Sequence, residues 1–86
     1  MSGTGGHEDD GSPRFAYMRV AEDIAGRIRS GELAPGSQLR TERDLARRYH
    51  VSVHTIRRAM RELRDRGLIL SIHGRGTYVR DVPGRR

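Results

Sequence analysis

Cysteine, tryptophan and lysine are all absent from this 86-residue chain, and its aromatics amount to one phenylalanine and three tyrosines. Without cysteine there is no disulfide staple and no thiolate metal site, a composition that suits a reducing compartment. So few aromatics offer no platform on which successive bases of a single strand could stack. No apolar run approaches the ~20 residues a membrane-spanning helix needs, and the first residues lack the apolar core of a secretory signal. A cytoplasmic location with no membrane partner is therefore expected. Nor is there a nucleophile paired with a base, or a glycine loop that opens a helix, so enzymatic function is not expected. His50 and His54 stand four apart but on either side of a turn, with no cysteine or carboxylate to complete a site, so neither metal nor cofactor is expected. The length allows one small domain with a thin core.

What is present is positive charge. All seventeen basic residues are arginine, and the formal net charge is +6. Glu8, Asp9 and Asp10 fall in the first thirteen residues, which hold no arginine, so residues 14–86 carry +9. A small basic domain of that charge density has an anion as its expected partner, and nucleic acid is the commonest.

Composition divides the chain. Residues 1–13, rich in glycine, serine and acid and nearly free of apolar side chains, read as a disordered acidic tail. Residues 83–86 read as a frayed C-terminus, leaving 14–82 as the folded domain. Val20, Ala21, Ile24, Ala25 and Ile28 recur at helical spacing, with Asp23 and Arg27 set to pair on the opposite face. Gly31 ends this helix, and Pro35-Gly36 marks a turn. Thr41 is suited to cap a second helix from Glu42 to Tyr49, buried through Leu45, Ala46 and Tyr49. His50-Val51-Ser52 interrupts it. Ser52 then caps a third helix, about 53–66, whose buried stripe is Ile56, Ala59, Met60 and Leu63, with Gly67 as its left-handed stop. Val53 and His54 are expected to face solvent at the front of that helix. The β-type runs 68–72 and 77–80, joined through His73-Gly74-Arg75-Gly76, predict a hairpin.

Two short helices around a tight turn, the second capped by serine and covered in arginine, predict a helix-turn-helix, and the hairpin makes it winged. The expected fold is mainly α with a small β wing: three helices plus a two-stranded antiparallel hairpin. In such a fold the third helix can enter the major groove of duplex DNA.

The sequence resembles the DNA-binding domain of the GntR family of bacterial transcriptional regulators. The pieces that carry the resemblance are Tyr17, the run GELAPGSQL (31–39), ERDLA (42–46), VS-x-x-TIR (51–57), AM-x-x-L (59–63), GLI (67–69) and GRGTYV (74–79). They follow the family's order from about residue 15 to 81. The resemblance implies a sequence-specific regulator of double-stranded DNA, by family habit a repressor, acting near the nucleoid. It implies a base or phosphate contact at Arg43, phosphate contacts at Ser52 and Thr55, a groove-facing His54, and a backbone or base contact at Arg57. It also brings His73 and Gly74, within the wing residues 72–77, to the minor groove or backbone. Charge and placement add Arg40, Arg58, Arg61 and Arg75 as phosphate contacts, with Thr41 beside Arg40 at the start of the second helix.

Two departures matter. Val53 stands where the family usually has a guanine-binding arginine; a valine offers only apolar contact, for example to a thymine methyl, so the family's usual operator is not expected. Family members also generally carry a C-terminal effector-binding and dimerisation domain, for which these 86 residues have no room. No small-molecule site is expected in this chain, and a weak homodimer is expected to form on an inverted repeat in DNA. The competing reading is a winged helix that docks an acidic protein; contact residues concentrated at the front of the third helix and the wing tip favour DNA over it.

Overall fold

The computed structural model describes residues 13–81. Of the tail expected over residues 1–13, residues 1–12 lie outside the described residues, as does the end expected to fray. Helix α1 spans Pro13–Ser30, so Pro13 belongs to the helix and not to the tail. Proline suits a first helical turn because the N–H it lacks would have no partner there. Val20, Ala21, Ile24, Ala25 and Ile28 are each at most 2 % exposed. The helix closes as glycine-ended helices do: Gly31 takes a φ of 89°, and the amide of Leu33 reaches back to the Arg27 carbonyl at 3.0 Å.

Helix α2 covers Glu42–Tyr49 and α3 covers Val53–Asp65. Both caps are those the sequence predicts. Thr41 Oγ1 accepts the Asp44 amide at 3.1 Å, and Ser52 Oγ accepts the Thr55 amide at 3.0 Å. The turn between the helices is made by His50, which takes the left-handed conformation (φ 59°, ψ 46°) and sends its amide to the carbonyls of Ala46 and Arg47. At the far end Gly67 supplies a φ of 78°, and the Leu68 amide bonds the Leu63 carbonyl at 3.0 Å. Helix α1 packs mainly on α3, and α2 packs on α3 as well. Ala21, Ala25 and Ala59 are fully buried, and side chains this small at helix contacts let the backbones approach closely.

Strands β1 (Ile69–Ile72) and β2 (Gly76–Val79) form the antiparallel hairpin, in the register Ile69 to Val79, Leu70 to Tyr78, Ser71 to Thr77 and Ile72 to Gly76. Ile69 and Val79 are buried and anchor it to the helical core. The segment around Pro35-Gly36 is more than a turn. Gly36 and Leu39 donate to the carbonyls of Val79 and Thr77, both at 2.8 Å, and the Val79 amide returns to Ser37 at 2.9 Å. Gln38 stands opposite Tyr78. Strand β2 is thereby paired along both edges, which ties the wing to the loop before α2.

Candidate nucleic-acid interface

The exposed front of α3 carries His54, Arg57, Arg58 and Arg61. They lie opposite the stripe of Ile56, Ala59, Met60 and Leu63, each 3 % exposed or less. A helix whose rear is so fully packed cannot rotate, so these four side chains are presented in one direction. The helix N-terminus adds the partial positive charge of its unpaired amides on the same side. Arg40, Thr41 and Arg43, around the start of α2, are exposed.

The three arginines on this front differ in what they meet. Arg57 Nε donates to Glu42 Oε1 at 2.9 Å, joining α3 to the first residue of α2. The guanidinium carbon of Arg58 lies over the Tyr17 ring of α1, 4.3 Å from its centroid, which leaves its N–H edge free while one face is shielded. Arg61 has no side-chain hydrogen bond or ion pair among the described residues. Further along, Arg64 donates to Ser71 Oγ at 3.2 Å, and Ser71 in turn meets Thr77 Oγ1 at 3.3 Å. This links the back half of α3 to the wing.

At the wing tip His73, Gly74 and Arg75 are all exposed. Gly74 has a φ of 78° and Gly76 one of 124°. The Arg75 carbonyl accepts from both Gln38 Nε2 at 3.0 Å and Tyr78 Oη at 3.2 Å. A Cβ on Gly76 would stand 2.5 Å from Gln38 Nε2, so the tip is shaped by a glycine that no other residue can replace without displacing that glutamine.

Two expected contact residues sit differently from expectation. Thr55 is 4 % exposed, and its Oγ1 accepts the Ser52 hydroxyl at 3.0 Å. It supports the cap of α3, and little of its side chain is exposed at the position where the resemblance implies a phosphate contact. Val53 is not turned to solvent: it is half-buried and packs against the core. The signal was in the sequence, because Val53 lies seven residues before Met60 and a seven-residue step returns to nearly the same helix face. Its visible part still borders His54 at the front of the helix. Glu42 and Tyr17 are the members of this surface whose contacts to the arginines sequence reasoning missed. Both act across elements, on arginines 15 and 41 positions away.

The acids lie largely elsewhere. Asp23 takes the Tyr49 hydroxyl at 2.6 Å and Arg27 Nε at 2.9 Å, and these two bonds hold its carboxyl below the usual range. Burial, with the Asp23 hydrogen bond second, pushes the Tyr49 phenol up to about 12. Arg66 donates to Glu22 at 2.7 Å and Glu62 at 2.9 Å, which lowers the Glu22 carboxyl. Arg47 does the same for Asp44. Among the described residues every ion pair engages Arg27, Arg47, Arg57 or Arg66. Of the arginines expected at the interface, only Arg57 is so engaged.

Three helices with a hairpin wing and a basic helix front define a winged helix-turn-helix domain. The chain belongs to the gntR family of bacterial regulatory proteins, whose pattern matches residues 16–79. It is 38 % identical over 66 residues to the HTH-type transcriptional regulator SmoD of Agrobacterium fabrum, covering 77 % of this chain and 28 % of that protein. It is 42 % identical over 65 residues to the mannosyl-D-glycerate transport/metabolism system repressor MngR of Escherichia coli, covering 76 % and 27 %. The chain thus spans little more than a quarter of these curated relatives. Among solved structures, AraR(DBD) in complex with operator ORR3 superposes with a TM-score of 0.71 at 39 % identity, covering 74 % of this chain and 77 % of that one. A GntR family transcriptional regulator from Listeria monocytogenes gives a TM-score of 0.77 at 31 % identity, covering 90 % and 66 %.

Proposed function

We propose that this chain binds double-stranded DNA in a sequence-specific manner, as the DNA-reading part of a transcriptional regulator, and that its regulatory sense is repression. Helix α3 enters the major groove with its front, while the tip of the wing lies against the minor groove or the backbone. The observation that carries this reading is the segregation of charge: Arg40, Arg43, Arg58, Arg61 and Arg75 have no acidic partner among the described residues, whereas most acids are held by other arginines. Three arginines on one helix front, with Arg40, Arg43 and Arg75 on neighbouring segments, fit a duplex better than a small acidic protein patch, because phosphates flank the groove on both sides. In this role Arg40, Arg43, Arg58, Arg61 and Arg75 contact phosphate, His54 and Arg57 face base edges, and the exposed part of Val53 meets an apolar base group. Ser52, with Thr55 behind it, holds the helix start in place. Two copies bind an inverted repeat, and their pairing forms on the DNA. A cytoplasmic, nucleoid-bound location follows from that role.

The test is selection of bound duplexes from a random DNA pool with the 86-residue chain, followed by sequencing. An enriched inverted repeat is the expected result. An unenriched pool, with binding lost at moderate salt, contradicts sequence-specific recognition by this chain.

A further inference from the structure

A carboxylate has no evident place on a surface that approaches phosphates, yet Glu42 stands there, with its side chain 44 % exposed and bonded to an Arg57 side chain that is 63 % exposed. An ion pair this open contributes little to stability. Its position in the first turn of α2 favours the helix dipole, but Asp44 already serves that end two residues on. What the pair does accomplish is orientation. Glu42 Oε1 takes the Nε–H of Arg57 at 2.9 Å, and among the described residues the terminal Nη groups of Arg57 have no partner. A guanidinium held by Nε is restrained in plane and direction, and its Nη edge is the edge that can meet the paired acceptors of a guanine. The same carboxylate repels phosphate and so keeps Arg57 from settling on the backbone.

We infer that Glu42 is a specificity-determining positioning residue: it holds Arg57 toward a base edge and denies it to neighbouring phosphates. The inference rests on the DNA-binding reading above. It also bears on Val53, because a chain without arginine at that position depends more heavily on the orientation of the next arginine along the same helix.

The test compares affinity for a duplex taken from the selected pool with affinity for a scrambled duplex of equal length and composition. Glu42→Ala is expected to lower affinity for the selected duplex by roughly tenfold, the scale of one lost bidentate base contact. The same variant is expected to raise affinity for the scrambled duplex by about threefold, because a repulsive charge is gone. Glu42→Gln keeps an acceptor for Nε and is expected to restore most of the discrimination. Asp44→Asn removes the same charge from the same helix without touching Arg57, so it should raise both affinities together. The inference is overturned if Glu42→Ala also raises both together, which makes Glu42 a charge and nothing more. It is equally overturned if both fall along with the melting temperature. Loss of discrimination in Arg57→Ala, but not in Glu42→Ala, removes the inference and leaves the DNA-binding reading intact. An unenriched pool removes both.

Discussion

The arginines at the front of α3 and those at the rear of the helical bundle are chemically the same and employed in opposite ways. At the rear, Arg66 bridges Glu22 of α1 and Glu62 of α3, and Arg27 bridges Asp23 and Glu32. At the front, Arg61 has no acidic partner among the described residues and Arg58 rests on the Tyr17 ring. The number of arginines therefore says little about function; the placement of acids does. Where carboxylates are interleaved, guanidinium groups fasten helices together. Where carboxylates are withheld, the same groups stay available to an external anion, and Glu42, the acid at the front among the described residues, is bonded to an arginine rather than left bare.

The broadest way to break the distinction is to remove the core on which both regions rest. Ile56 is fully buried in the middle of α3, and Ile56→Ala is expected to cost about 2–5 kcal/mol. In a thermal or denaturant melt this should unfold front and rear together and abolish DNA binding with them. A narrower change acts on the front alone. Val53→Arg is expected to shift base preference by ~1–3 kcal/mol at a single position of the selected sequence, with a modest drop in melting temperature as the half-buried valine leaves the core edge. An identical selected sequence would remove Val53 from the readout.

The rear has a converse test in Tyr49→Phe, which removes the hydrogen bond to Asp23 and is expected to cost about 1 kcal/mol of stability while DNA affinity holds. Its pH dependence is more telling. The phenol titrates near 12 in the folded protein against an ordinary value of 10.0, so the unfolded chain gives up its proton first. The stabilisation is complete below about pH 10 and is lost as pH rises through about 12. Melts over that window should show an alkaline loss in the native chain that Tyr49→Phe lacks. The smallest effect is expected at the turn between α2 and α3. His50 bears a side chain in the left-handed region, and His50→Gly should stabilise the domain by about 0.5–1 kcal/mol in a denaturant melt.

Most of the fold was legible because its signals are local. Thr41, Ser52, Gly31 and Gly67 each act within a turn of their own helix, and the Asp23–Arg27 pair lies within one as well. The pairing of residues 36–39 with β2 was not legible. Pro35-Gly36 announces a turn, while the partner strand lies some forty residues on and nothing local specifies the match. The candidate site divides the same way. The exposure of His54, Arg57, Arg58 and Arg61 follows from the helical period, but Glu42 and Tyr17 reach their arginines through the packing of three helices. The burial of Thr55 and Val53 was legible but outweighed: Thr55 lies one turn before buried Ala59 and Val53 two turns before buried Met60, while the resemblance drew attention to the front of the helix.

The most direct measurement is the salt dependence of DNA affinity for charge-neutralised variants of the two regions. Arg58→Gln and Arg61→Gln are each expected to make the slope of log affinity against log salt shallower by roughly 0.9, the share of one phosphate contact, while Arg27→Gln leaves it unchanged. Equal slopes for front and rear variants would contradict this expectation, because the arginines would then act as undirected charge rather than as one DNA-facing surface.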